Sequence, residues 1–207
     1  MLDNEKVKKY YQEEEDYDWA VAADNFVGPE TFLHRFRENE AVKLLKEFGL
    51  EKFIDVGCGT GLISRHLPQG SVGIDLNPRN LTKAKIHAPK IDFYLADVEK
   101  KFPFPNNYFG TAICTEVLEH LLQPQLALAE INRVLLSGGR LIGSVPSKTL
   151  LWKLRRLSFS RQHFKVEPYH CHRNKQEVME LLNPFFKVIK IYAKPLQMNW
   201  FFVAIKK

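Results

Sequence analysis

The amino-acid sequence predicts an α/β fold: a seven-stranded mixed sheet with an antiparallel last strand and helices on both faces. Three observations carry this. Strand-like runs alternate with helix-like runs between residues 52 and 145, which implies a parallel sheet joined by crossovers. Two strand-like runs, FFKVIKIYA (185–193) and NWFFVAIKK (199–207), follow with only KPLQM between them. No helix fits that gap, so the pair reads as an antiparallel hairpin. Third, FIDVGCGTG (53–61) sets Gly57, Gly59 and Gly61 at the end of the first strand. Glycine loses more backbone entropy on folding than any other residue, so three in five positions imply that something must approach this backbone closely.

The elements follow in order. TFLHRFRENEAVKLLKEF (31–48) spaces its apolar residues as a helix does, and Gly49 suits its C-terminal cap. KFIDVG (52–57) is the first strand, 61–67 a short helix stopped before Pro68, SVGIDL (71–76) the second strand and RNLTKAKIHA (79–88) a helix. IDFYLADV (91–98) is the third strand, FPFPNN (102–107) a turn-rich loop, and YFGTAICT (108–115) the fourth strand. The stretch 123–136 is helical until SGG (137–139) breaks it, and RLIGSV (140–145) is a fifth strand stopped by Pro146.

A chain of 207 residues reads as one domain. It buries roughly 70% of its unfolded surface, so it needs no disulfide or metal staple to fold. The reading divides it into a helical cap (1–48), a ligand-binding core (50–146), a lid (147–172) and a C-terminal helix with hairpin (173–207). Cys58, Cys114 and Cys171 are an odd number at no metal-ligand spacing, which predicts a reducing, cytoplasmic setting without a zinc site. The N-terminus is too polar for a signal peptide, and no apolar run approaches the ~20 residues of a membrane span. The net charge of +6 mildly favours anionic partners.

In an open α/β sheet, ligands bind outside the carboxyl ends of the strands. The glycine loop lies at such an end, where bare backbone and helix N–H groups can press against a ligand. Asp75 ends the second strand and can accept both hydroxyls of a ribose. Asp97 ends the third and is placed for the exocyclic amine of an adenine. Together they predict an adenosine derivative across three strand ends. A dinucleotide is disfavoured, because G-x-G-x-x-G needs glycine where Leu62 stands.

With those residues in view, 50–146 resembles the class I S-adenosylmethionine (SAM)-dependent methyltransferases, of Rossmann-like fold. DVGCGTG resembles the family's first motif, GIDLNP its second, LADVEKKFPFPNNYFGTAICTEVLEHL its third and fourth, and LLSGGRLIGSVP the strand-five motif. The resemblance implies that Gly57, Cys58, Gly59 and Gly61 line the methionine moiety, with Asp55 supporting its ammonium. It implies Asp75 on the ribose, Leu76 against the adenine, Asp97 and Val98 at the adenine edge, and Thr115 and Glu116 beside the sulfonium. The implied activity is methyl transfer to an oxygen, less favourably a nitrogen, of a small or lipid-like acceptor, as in ubiquinone- and menaquinone-biosynthesis methyltransferases. The rival readings are an RNA-modifying methyltransferase and a SAM-binding protein without turnover.

TEVLEHL (115–121) supplies the chemistry. If helical, Glu116, Glu119 and His120 share one face. His120 is the candidate general base, with Glu116 beside it in the catalytic set. The E-x-x-E-H pattern also resembles a metal site, which would take Mg²⁺ with His170 or His172 as a further ligand. A purely structural reading, with the carboxylates at a helix N-terminus, stands beside both. Neither Cys58 nor Cys114 has a local activating base, so both read as small buried residues.

In KTLLWKLRRLSFSRQHFK (148–165), a helix would align Leu150, Leu151, Leu154 and Leu157, with Lys153, Arg155 and Arg156 off that stripe. Such a helix suits a lid packed on the domain or peripheral contact with an anionic membrane. Nucleic acid is disfavoured, since the aromatic residues form no stacking platform. Tyr10, Tyr11, Tyr17, Trp19, Phe26, Phe32 and Phe36 suggest that 8–37 closes over the ligand, with Arg35 or Arg37 placed for a carboxylate.

Overall fold

The computed structural model describes residues 4–14, 17–25, 29–149 and 169–207. From residue 150 onward the predicted basic helix lies outside these residues, as does Phe26. The cap consists of α1 (Asn4–Lys9), which runs on into a π-helical turn (Tyr10–Glu14), then α2 (Trp19–Asp24) and α3 (Pro29–Phe48). The core alternates β1 (Phe53–Val56), β2 (Val72–Asp75), α4 (Pro78–His87), β3 (Asp92–Leu95), β4 (Phe109–Thr115), α5 (Pro124–Val134) and β5 (Leu135–Pro146). Helix α6 (Lys175–Leu182) precedes β6 (Phe186–Lys194) and β7 (Asn199–Lys206).

The sheet has seven strands in the order β3-β2-β1-β4-β5-β7-β6. β1 pairs with β2 and β4 in parallel, and β7 pairs with β5 and β6 antiparallel. The order reverses between β1 and β4, and that break places the ligand crevice at the carboxyl ends of both strands.

Local chemistry explains the boundaries. Asn77 caps α4, its Oδ1 accepting from the Arg79 N–H at 2.9 Å, and Pro78 occupies the first turn. Asn174 and Glu177 form a reciprocal capping box on α6. Strand β4, FGTAICT, is buried from Phe109 through Cys114, as a strand covered on both faces must be. On one face Leu44 of α3 packs with Ile142, Phe201 and Val203. On the other, Leu128 and Ile131 of α5 and Leu182 of α6 join Val145 and Phe202. Gly143 makes room for that second layer: a Cβ there would stand 2.4 Å from the Phe202 ring.

Two predicted elements differ. The helix read at 61–67 is a single 3-10 turn, Ser64–His66, because Pro68 denies it length. The break read at SGG lies inside β5, which starts at Leu135 and tolerates the glycines through a register shift against β4 between Phe109 and Thr111. Among the described residues, no helix is long and apolar enough to cross a membrane.

Candidate functional site

The carboxyl ends of β1, β2 and β4 open into a cavity of about 310 Å³, within the roughly 300–1,000 Å³ range of small-molecule sites. Of the twelve residues expected at the site, eleven line it: Asp55, Gly57, Cys58, Gly59, Asp75, Leu76, Asp97, Val98, Thr115, Glu116 and His120. Gly61 does not. Its φ is +86° and a Cβ there would lie 3.2 Å from the Ala84 Cα, so it lets the loop pack on α4.

The loop is pinned before any ligand arrives. The N–H groups of Gly57 and Cys58 donate to the Ile74 carbonyl at 2.8 and 2.9 Å, and the Gly59 N–H donates to Asp75 Oδ2 at 2.9 Å. Gly57 sits at φ +70°, and a Cβ there would meet Val117 at 2.4 Å. Asp75 also accepts from the Asn77 N–H at 2.8 Å. Burial pushes the Asp75 carboxyl up, against these donors. Burial likewise raises Asp55 to about 7, opposed by the Ser64 hydroxyl 2.6 Å from its Oδ2. The Cys58 thiol is pushed well above its ordinary range by burial, then by Asp75 and Asp55, so it is no nucleophile.

Asn80 lines the cavity next to Asp75, and its Oδ1 is buried with no hydrogen-bond partner among the described residues. A buried acceptor left alone costs about 1–3 kcal/mol. A ribose hydroxyl is the donor it lacks, and the residues present therefore fit an adenosine-type cofactor.

The other end of the cavity is built from side chains. Residues 116–121 are not helical. The chain leaves β4 with Glu116 at φ +55° and turns, the His120 N–H donating to the Val117 carbonyl at 3.0 Å. Glu116 therefore takes partners of its own, apart from Glu119 and His120. Glu116 Oε1 accepts from the Ser144 hydroxyl at 2.7 Å and from Asn199 Nδ2 at 2.8 Å. Its Oε2 lies 2.6 Å from Arg37 Nη1. Burial works to raise the Glu116 carboxyl, but the Arg37 charge and these donors hold it below the usual carboxylate value. Glu116 is thus an ionised anchor tying α3 to β5 and β7, with both oxygens committed. That removes it from the role of proton acceptor and from the predicted ligand set for Mg²⁺. Among the described residues, no group of three or more His, Cys, Asp or Glu is placed to hold a metal ion.

Glu119 is buried, and its Oε2 has no hydrogen-bond partner among the described residues. Burial, and then the charge of Glu116, push its carboxyl well above the usual range. His120 stands beside it, with its Nε2 3.8 Å from Glu119 Oε1. The Tyr11 hydroxyl lies 2.7 Å from its Nδ1 and donates to the Tyr169 carbonyl at 3.2 Å. The His170 ring stands 5.0 Å from that of His120, centroid to centroid.

The cap closes over both ends. Trp19 covers the glycine loop, and a Cβ on Gly59 would stand 3.3 Å from its ring. The Ala20 N–H donates to the Thr60 hydroxyl at 3.2 Å, and Asn77 Nδ2 donates to the Tyr11 carbonyl at 2.9 Å. Of the two arginines singled out, Arg37 lines the cavity while Arg35 is exposed. Lys8, Asn80 and His34 also line it and were not anticipated. Asn80 follows the GIDLNP motif closely enough to have been found. Lys8 carries no sequence signal.

A family model described as a methyltransferase domain matches residues 54–143. The mitochondrial ubiquinone biosynthesis O-methyltransferase of Schizosaccharomyces pombe is 28% identical over 135 residues, covering 60% of this chain and 48% of that one. The ubiquinone biosynthesis O-methyltransferase of Photobacterium profundum is 25% identical over 154 residues, covering 71% of this chain and 64% of that one. The chain thus spans about half to two thirds of the length of the curated relatives it matches. Among solved structures, magnesium protoporphyrin IX methyltransferase from Synechocystis with bound S-adenosylhomocysteine (SAH) aligns with a TM-score of 0.71 at 19% identity, covering 99% of this chain and 100% of that one. An N-methyltransferase from Bradyrhizobium japonicum in complex with SAH aligns with a TM-score of 0.69 at 16% identity, covering 99% of each chain. At those identities the likeness is one of fold.

Proposed function

We propose that this chain is a class I SAM-dependent methyltransferase that moves a methyl group to an oxygen of a small or lipid-like acceptor, with His120 as the proton acceptor. The observation that carries this is the Tyr11–His120 pair at 2.7 Å, lining the same cavity as Asp75 and Asp97. The ubiquinone O-methyltransferase relatives support an oxygen acceptor and a lipid-like one.

SAM, when bound, supplies a methyl group made electrophilic by its sulfonium. The chain's own residues hold and exclude. The glycine loop accommodates the methionine moiety, Asp55 the ammonium and Arg37 the carboxylate. Asp75 and Asn80 take the ribose, Asp97 the adenine amine, and Leu76 and Val98 the ring. Thr115 stands beside the reacting centre. In-line placement of reacting atoms contributes up to roughly 7–11 kcal/mol, so this rigidity is the main catalytic device. The Tyr11 hydroxyl has one proton. Directed at the Tyr169 carbonyl, it leaves the Tyr11 oxygen to accept from Nδ1–H, which puts the His120 lone pair on Nε2. That nitrogen takes the acceptor's hydroxyl proton.

The fold is read as one domain with a cap, acting in the cytoplasm, and 148–165 as its contact with a membrane surface. An assay of SAH release with a polyprenyl phenol as acceptor tests the reading. Wild-type turnover with H120A reduced about 10²–10⁴-fold is expected. Full activity of H120A would remove His120 from the chemistry.

A further inference from the structure

The adenine corner already contains a cation. Lys8 Nζ, from α1 of the cap, lies 2.7 Å from Asp97 Oδ2 and 3.0 Å from Glu99 Oε2. Both carboxylates are well shielded, with side-chain exposures of 11% and 2% against 19% for Lys8. The remaining oxygens are engaged as well: Asp97 Oδ1 accepts from the Glu99 N–H at 3.0 Å, and Glu99 Oε1 from the Gln123 N–H at 3.0 Å. Burial works against the Lys8 charge, but the hydrogen bonds to both acids hold its proton.

We propose that Lys8 is a latch that stands in for the cofactor's adenine amine, so that the cofactor enters by displacing Lys8 from Asp97 while Glu99 retains it. The inference rests on the cofactor reading above. Nζ is an N–H donor 2.7 Å from the oxygen that an adenine amine would use, and Lys8 and Asp97 both line the cavity, so the two donors compete for the cavity side of that oxygen. Glu99 is the second seat. Its Oε2 is already within ion-pair distance, so the ammonium can leave Asp97 without being left unpaired and α1 can stay on the core. The rest of the cap is fastened independently. Asn77 Nδ2 holds the Tyr11 carbonyl, Arg79 donates to the Glu13 carbonyl, and Arg65 grips Asp24 on α2 through two hydrogen bonds at 2.7 and 3.0 Å. Lys8 is the fastening that coincides with the expected cofactor contact.

The experiment is stopped-flow binding of SAH, followed through intrinsic tryptophan fluorescence with Trp19 at the cavity wall as reporter. SAH lacks the sulfonium charge, so salt acts on the latch rather than on ligand steering. The association rate for K8M should exceed wild type by roughly fivefold, the scale of one partly buried ion pair. The wild-type rate should rise between 20 and 300 mM NaCl, and the K8M rate should not. Thermal unfolding of K8M confirms that the variant is folded. An association rate for K8M equal to or below wild type at low salt overturns the latch, and a fall would make Lys8 a cofactor contact instead. SAH that fails to bind the wild type overturns the cofactor reading itself, a result distinct from binding with an unchanged rate.

Discussion

The two ends of the cavity are built by different means. The cofactor end is made of main chain and strand-end carboxylates, all within one continuous run from Asp55 to Val98. Its hydrogen bonds, such as Gly59 N–H to Asp75 at 2.9 Å, join neighbours in the sheet. The acceptor end is made of side chains that meet from distant parts of the chain. Tyr11 reaches His120 across 109 positions and the Tyr169 carbonyl across 158. The cofactor end is set mainly by the sheet, with Trp19 and Lys8 of the cap laid on it, whereas the acceptor end exists only when the cap is folded. Binding should therefore survive damage to the acceptor end, and turnover should not.

The sharpest separation comes from H120A. Turnover should fall about 10²–10⁴-fold while the SAH dissociation constant, measured by calorimetry, stays within about threefold. A parallel loss of SAH affinity would merge the two ends. The converse break is G57A. A side chain at φ +70° facing Val117 costs roughly 1–3 kcal/mol, and SAH binding should weaken in proportion. G61A meets Ala84 rather than the cavity, so it should lower the melting temperature and spare SAH affinity.

The pH dependence separates the ends again. Burial raises Asp55 to about 7, so the carboxyl is largely neutral below that value. A ligand ammonium favours the ionised form. SAH affinity should therefore rise about tenfold per pH unit toward 7, plateau above it, and lose this slope in D55N. For the free protein the sign is opposite. A carboxyl raised from its unfolded value contributes stability that is fully present below about pH 4 and lost as pH rises through about 7. Melting curves across that window, compared with D55N, check it. The smallest expected effect is Y11F: losing one hydrogen bond to His120 should lower kcat about fivefold without changing SAH affinity.

The same contrast explains what was legible in the sequence. Alternating runs and the helix-free gap at 194–198 foretold the sheet, because strand order follows from connection length. Asp75 was legible because it ends its strand, Gly57 because it directly follows one, and Asp97 lies two residues past β3, which stops at Leu95 rather than running to 98. Glu116 was assigned to the chemistry on helical spacing that the chain does not adopt. Its partners Arg37, Ser144 and Asn199 are remote in sequence, so only the folded cap and hairpin reveal it as an anchor. Lys8 sits in an ordinary charged helix and acquires meaning only through Asp97 and Glu99.

The most direct test of the central claim is a thermal shift of the wild-type protein with SAH and, separately, with NAD. At one hundred times its dissociation constant a ligand adds about 2.7 kcal/mol, roughly 5–10 °C for a chain of this size. A rise of that order with SAH and none with NAD is the predicted result. Stabilisation by NAD alone, or by neither ligand, would contradict the assignment of the glycine loop.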